Sequence, residues 1–198
     1  MKVAIVDSGG ANIGSVVYAL ERLGCEAALT DDAELIESAE RVILPGVGAA
    51  AAAMAHLAKN GLDRVIPTLS QPVLGICLGL QLLYDHSEEG NVVCLGVFQG
   101  TARKLPEQTG CRVPHMGWNQ LSLRRDSPLL EGITDGDWAY FVHSYALPVD
   151  DALTVAASEH GTEFTAIAGR GNFHAAQFHP ERSAATGARL LENFLAIE

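Results

Sequence analysis

Along the first half of the chain, short unbroken apolar runs alternate with segments of helical periodicity. Lys2–Asp7 predicts a strand, and Asn12–Leu23 a helix with Ile13, Val16, Val17 and Leu20 on its apolar side and Gly24 as its stop. Glu26–Thr30 predicts a second strand, and Asp31-Asp32 a cap for the short helix that follows. Arg41–Leu44 is a third strand, Ala49–Lys59 and Leu62–Ser70 are helical, Pro72–Ile76 is a fourth strand, and a helix runs from Leu78 to His86. This alternation implies a parallel sheet with helices on both faces. The second half is strand-rich, with Val92–Phe98, Thr101–Leu105, Trp118–Leu123, Asp137–Leu147, Leu153–Ser158, Thr165–Gly169 and Asn172–Phe178. Ser183–Ile197 closes the chain as an amphipathic helix carrying Leu190, Leu191, Phe194 and Leu195. The expected fold is α/β: an open, mostly parallel sheet flanked by helices, with an additional antiparallel β layer. No repeat, linker or low-complexity tract divides it, so one domain is expected over residues 1–198.

Composition narrows the partners. Against 13 Lys and Arg stand 24 Asp and Glu, a net charge of −11, which argues against a nucleic-acid or anionic-membrane surface. A single phosphorylated metabolite is not excluded. The first apolar run is too short for a signal peptide, and the longest uncharged stretch, Val42 to Ala55, is too short to span a bilayer, so a soluble cytoplasmic protein is expected. Cys25, Cys77, Cys94 and Cys111 form no C-x-x-C pair, which removes thioredoxin-like and zinc-ribbon chemistry. The histidines lack metal-ligand spacing, and no metal or cofactor is expected.

One cysteine has a distinctive setting. Gly75-Ile76-Cys77-Leu78-Gly79 lies where a strand gives way to a helix, the thiol form of the nucleophile elbow. Flanking glycines suit a sharp turn in which neighbouring segments come close. Helix N–H groups would favour an anion at the Cys77 sulfur, and the Leu78 N–H would point at the oxygen of an attacked carbonyl. By itself the motif fits a small buried hydrophobe equally well.

A thiol nucleophile needs a base, and the base needs an orienting group. In Gln177-Phe178-His179-Pro180-Glu181, His179 and Glu181 are two apart and project from one face of extended backbone, which Pro180 favours. A second oxyanion donor is expected from Pro45-Gly46-Val47-Gly48 at the end of the third strand. Gly46-x-Gly48-x-x-Ala51 also matches a dinucleotide fingerprint, but the next strand ends without an acidic residue for a ribose; Gly9-x-Ala11-x-x-Gly14 is a poorer match.

Taken together, Pro45-Gly46-Val47-Gly48, Gly75-Ile76-Cys77-Leu78-Gly79-Leu80-Gln81 and Phe178-His179-Pro180-Glu181 resemble the class I, triad-type glutamine amidotransferases, in the order of that family and over nearly the whole chain. Pro114-His115-Met116-Gly117-Trp118-Asn119 and Tyr140-Phe141-Val142-His143-Ser144-Tyr145 narrow the resemblance to one branch, the glutaminase subunits of imidazole glycerol phosphate synthases. The resemblance implies a flavodoxin-like core and a catalytic triad of Cys77, His179 and Glu181. It also implies an oxyanion hole from Gly46, Val47, Gly48 and Leu78, and glutamine binding by Gln81, Glu89, Ser144 and Tyr145. Ammonia would pass within a heterodimer to a cyclase subunit of (β/α)8-barrel type. Trp118, Asn119, Tyr140 and Arg182 are the residues expected to face that subunit, and His143 is expected to be structural.

Three positions depart from the usual pattern of the family. Arg182 stands where Lys is commoner, Leu80 where Met is, and Ala49–Ala53 lacks a frequent Phe. Other readings are an amidotransferase serving vitamin B6, anthranilate or guanylate synthesis, against which Met116-Gly117-Trp118-Asn119 counts, or a nucleotide-cofactor-binding α/β module using Gly46–Ala51.

Overall fold

A computed structural model describes residues 1–10 and 13–197. Asn12, the expected start of the first helix, and Ala11 of the Gly9–Gly14 pattern lie outside the described residues. The strands of the first half are β1 (Val3–Val6), β2 (Ala27–Thr30), β3 (Arg41–Gly46), β4 (Val73–Cys77), β5 (Tyr84–Ser87) and β6 (Val92–Val93). Then come β7 (Phe98–Lys104), β8 (His115–Gln120), β9 (Ser122–Leu123), β10 (Trp138–His143) and β11 (Tyr145–Ala146). The last are β12 (Thr154–Glu159), β13 (Glu163–Arg170) and β14 (Phe173–Ala176). The helices are α1 (Gly14–Arg22), α2 (Ala33–Glu37), α3 (Ala50–Lys59), α4 (Leu62–Val65), α5 (Leu78–Leu82) and α6 (Ala184–Ala196).

The main sheet has eight strands in the order β2-β1-β3-β4-β14-β13-β12-β9. From β2 to β14 they run parallel, and β13, β12 and β9 extend the sheet antiparallel. Strands apolar at every position are those covered on both faces. Val3 and Ile5 of β1 accordingly pack with Val16 and Leu20 of α1 and Leu190 and Phe194 of α6, whereas Ala4 and Val6 pack with Ile36 of α2 and Met54 and Leu57 of α3. Two smaller sheets lie apart from the main one: β11-β7-β5-β6, and the antiparallel pair β10-β8. Among the described residues, no helix is long and apolar enough to cross a membrane.

The structure corrects several expected boundaries. The helix after Cys77 stops at Leu82, and Tyr84–Ser87 instead form β5 beside β7, where Tyr84 packs edge-on against Phe98 with ring centroids 5.3 Å apart. Only Val92–Val93 of the Val92–Phe98 run is strand, and Phe98 opens β7. Trp118–Leu123 divides between β8 and β9, which belong to different sheets, and Asp137–Leu147 divides at Ser144 into β10 and β11. Each of these runs is continuous in hydrophobicity but changes neighbours midway, which periodicity cannot register. Likewise Leu62–Ser70 is α4 followed by a 3₁₀ turn over Ile66–Thr68.

One buried polar residue of the main sheet has no visible support. His174 of β14 is buried, and neither ring nitrogen has a hydrogen-bond partner among the described residues. Burial pushes its imidazole down from 6.5 to about 4. The unfolded chain therefore binds a proton that the fold refuses, so stability present above pH 6.5 is lost as the pH falls toward 4. Replacing His174 by Leu should stabilise the fold by about 1 kcal/mol at neutral pH and flatten that acid loss, as read by urea unfolding across the interval. An unchanged pH slope would show that His174 does not carry the effect.

Candidate active site

Cys77 is the last residue of β4 and caps α5, with φ +55° and ψ −109°. Few L residues occupy that region, and holding one there costs about 1–3 kcal/mol. The surrounding backbone imposes it. Parallel pairing of β3 with β4 sets Gly46 opposite Cys77, and the first turn of α5 is pressed against the end of β3. A Cβ on Gly79 would lie 1.8 Å from the Leu44 carbonyl oxygen, and one on Gly46 would lie 2.6 Å from the Leu78 Cβ. The glycines of the motif are therefore there for close approach. With only five residues in α5, the field at the sulfur comes from the first N–H groups rather than from a long helix.

The partner of the sulfur arrives by register. β14 pairs parallel with β4, Ala176 opposite Ile76, so the chain beyond Ala176 passes alongside Cys77. There the His179 N–H donates to the Tyr140 carbonyl at 3.0 Å, and the Ser183 hydroxyl joins the Tyr140 N–H to the His179 carbonyl. His179 Nδ1 meets Glu181 Oε1 at 2.8 Å, leaving the other ring nitrogen to hydrogen-bond Cys77. Burial alone would pull the imidazole down. Hydrogen bonds donated to Cys77 and Glu181, with the negative charge of both, outweigh it and hold the His179 pKa up at about 10. The Glu181 side chain is only 4% exposed, and its Oε2 has no hydrogen-bond partner among the described residues, so His179 is the group that balances its charge.

In front of the sulfur opens a cleft of about 340 Å³. Gly46, Val47, Gly48 and Leu78 line one part of it, and Gln81, Glu89, Ser144 and Tyr145 another. The residues expected to form the oxyanion hole and the glutamine pocket thus meet in one cavity with Cys77 and His179. Gly48 takes φ +97°, a conformation glycine adopts without strain. Glu89 also accepts the Ala50 N–H of α3 at 2.9 Å.

The family model for glutamine amidotransferase class-I matches residues 4–197. The chain belongs to the class-I glutamine amidotransferases. Among curated members of the family, a protein from Xanthomonas campestris pv. campestris (strain 8004) named imidazole glycerol phosphate synthase subunit HisH is 58% identical over 98% of this chain and 97% of its own length. A protein of the same name from Xylella fastidiosa (strain Temecula1) is 56% identical over 100% of this chain and 98% of its own. In fold, the chain matches a solved glutamine amidotransferase with a TM-score of 0.75 at 20% identity, over 98% of this chain and 96% of that one.

As an amidotransferase, the chain places two further groups on its sulfur that the sequence motifs did not single out. The Val142 carbonyl lies 3.7 Å from Cys77 Sγ, an acceptor for the sulfur only while it keeps its proton, whereas Gln177 Nε2 lies 3.8 Å away and donates to the sulfur. Gln177 is fully buried and two residues ahead of His179, so the same alternation that paired His179 with Glu181 was the available signal. Gln81 turns its amide nitrogen inward, to the Tyr145 carbonyl at 2.9 Å and Gln177 Oε1 at 3.0 Å. Of the residues expected at a partner surface, Trp118 is half exposed and stacks edge-on with Tyr140, and Arg182 is exposed. The Asn119 side chain faces the other way, donating to the Glu159 carbonyl at 2.7 Å. Elsewhere, burial pushes the Cys94 thiol up to about 11 and raises Cys25.

The nucleotide fingerprint also receives its explanation. Gly46 is small so that β3 can touch α5, and the first N–H of α3, where a pyrophosphate would sit, is taken by the Glu89 carboxylate. A fixed negative charge there opposes a phosphate.

Because His179 is raised from 6.5 to about 10, its contribution to stability is full below pH 6.5 and lost as the pH climbs through 10. Changing Glu181 to Gln should bring the imidazole back toward its ordinary value, read from the NMR shift of the His179 ring, and flatten the alkaline loss of stability. Glutamine hydrolysis should fall by about 10²-fold or more. An unaltered titration of His179 would show that Glu181 does not support it. Gly79→Ala, by contrast, should destabilise the elbow by about 3 kcal/mol, visible as a lowered urea midpoint.

Proposed function

We infer that this chain is the glutaminase subunit of an imidazole glycerol phosphate synthase, acting in histidine biosynthesis as a single amidotransferase domain over residues 1–198. The observation that carries the reading is the meeting of Cys77 and His179 in a cleft lined by the residues suited to glutamine, with Glu181 behind them on His179 Nδ1. The relatives named imidazole glycerol phosphate synthase subunit HisH, at 56–58% identity over nearly the full chain, direct it to that synthase rather than to another amidotransferase.

The chemistry follows from the geometry. The Cys77 thiolate attacks the side-chain carboxamide of glutamine, and the oxygen that gains charge is stabilised by the Leu78 N–H and the peptide groups of Gly46–Gly48. His179, held as imidazolium, gives its proton to the departing nitrogen, which leaves as ammonia from a γ-glutamyl thioester. Neutral His179 then takes a proton from water, the resulting hydroxide attacks the thioester, and glutamate and the thiolate are released. Glu181 keeps the ring oriented through Nδ1. Glu89 offers a carboxylate to the α-ammonium of the substrate, and the Ser144-Tyr145 segment forms the wall beside it.

Ammonia passes to a cyclase subunit of (β/α)8-barrel type in a cytoplasmic heterodimer. That subunit uses it to convert a phosphoribulosyl formimino aminoimidazole carboxamide ribotide to imidazole glycerol phosphate and aminoimidazole carboxamide ribotide. The outer face of β8 and β10 suits such a partner, because Met116, Trp118 and Trp138 stand exposed on it with Tyr140 beside them. Arg182 extends that surface, and Asn119, turned to the opposite face, does not.

Cys77→Ala should abolish glutamine-dependent formation of imidazole glycerol phosphate by the complex, while synthesis from added ammonium salts continues at the wild-type rate. Full glutamine-dependent turnover by that variant would sink the assignment.

A further inference from the structure

β8 and β10 have two faces. Opposite the exposed aromatic face, His115, Asn119, Phe141 and His143 point inward. Four of the groups behind the glutamine pocket form a line. The Tyr145 carbonyl can only accept, so His143 Nδ1, 2.9 Å away, carries the hydrogen. His143 Nε2 is then an acceptor, and His115 Nδ1 at 3.1 Å must donate to it. His115 Nε2 is left to accept, from Asn119 Nδ2 at 3.4 Å. The amide orientation of Asn119 is set independently, by donation to the Glu159 carbonyl at 2.7 Å and acceptance from the Gln120 N–H at 2.9 Å. With a carbonyl at one end and an amide at the other, one arrangement of hydrogens satisfies every link.

We propose that His115 is a positioning residue for glutamine binding, which acts through His143 to hold the Tyr145 carbonyl and the Ser144-Tyr145 wall of the pocket in place. The proposal rests on the reading that this cleft takes glutamine. His115 is itself clamped, stacked on Phe141 at 5.1 Å and on His160 at 4.2 Å, so its ring cannot turn away from His143. Burial, the dominant cause in both, holds His143 at about 3 and His115 at about 4, so both rings are neutral in the working range. The Tyr145 carbonyl receives a second donor, Gln81 Nε2, at 2.9 Å, and through Gln177 that network reaches Cys77. Both lone pairs of one carbonyl are thereby used. Without the His115 donor, His143 Nε2 is a buried lone pair with no partner and that edge of the ring is no longer held. The ring is then free to swing, its Nδ1–H moves off the Tyr145 oxygen, and the pocket wall moves with it.

The test uses the full chain and a diazo-ketone analogue of glutamine, which labels Cys77 in proportion to pocket occupancy. In His115→Phe, which keeps the ring stack but donates nothing, the half-saturating analogue concentration should rise about tenfold. The limiting labelling rate and the rate with iodoacetamide, which needs no pocket, should stay within about twofold of wild type. His115→Asn, whose amide can occupy the place of Nδ1, should recover most of the affinity. Equal half-saturation in wild type and the Phe variant, or equal loss in Phe and Asn, overturns the proposal. Nitrogen-15 NMR of the wild-type imidazoles, which does not depend on any variant folding, should show His115 and His143 both protonated at Nδ1; an Nε2-protonated form of either also overturns it. A wild-type chain labelled by iodoacetamide but not by the analogue would instead defeat the glutamine reading, and this proposal with it.

Discussion

The strained turn at Cys77 is the constraint on which the rest depends. Left to local preference, a cysteine would not take φ +55°. It does so because β3, β4 and α5 approach until a single methyl on Gly79 would overlap the Leu44 carbonyl. That approach aims the sulfur out of the sheet, into the cleft, and brings Gly46 level with it. The parallel register of β4 with β14 then supplies His179 at the same height. The chemistry therefore sits where three parallel strands end together, a place where an open α/β sheet leaves a crevice.

Around that sulfur, one environment treats imidazoles in opposite ways. His179, with a carboxylate on one nitrogen and sulfur near the other, is held charged. His143, which lines the same cleft, is held neutral by deeper burial and by the histidines around it, although its hydrogen bond to Tyr145 works the other way. The difference in partners separates a charged imidazole from a neutral one. Glu181 is similarly specialised. Among the described residues its one hydrogen bond goes to the ring.

The β8–β10 pair joins two surfaces that would otherwise be unrelated. Its outward residues, Met116, Trp118 and Trp138, offer an apolar aromatic patch of the kind that fills contact centres. On its inward side His143 reaches the Tyr145 carbonyl at the pocket wall, and the backbone carbonyl of Val142 in β10 lies at the sulfur.

Much of the parallel core, and the chemistry of the residues that meet at Cys77, could be read in the residues themselves. Apolar runs buried on both faces announce parallel strands, and Gly75-x-Cys77-x-Gly79 and His179-Pro180-Glu181 combine residue types whose chemistry is local and specific. What the linear order could not decide was where an apolar run changes partners. Tyr84–Ser87 reads as the continuation of a helix, and becomes a strand only because Phe98 and β7 are there to receive it. Val142 was invisible as a site residue for the same reason, since a backbone carbonyl carries no sequence signal, and Gln177 had only its alternation with His179 to mark it. His115 was part of a motif, yet its partner lies 28 positions away. Residue chemistry and spacing determined which reaction the chain is equipped for. Tertiary packing alone decided which hydrogen bonds orient the groups that perform it, since such bonds depend on distances between segments that the chain's own order leaves free.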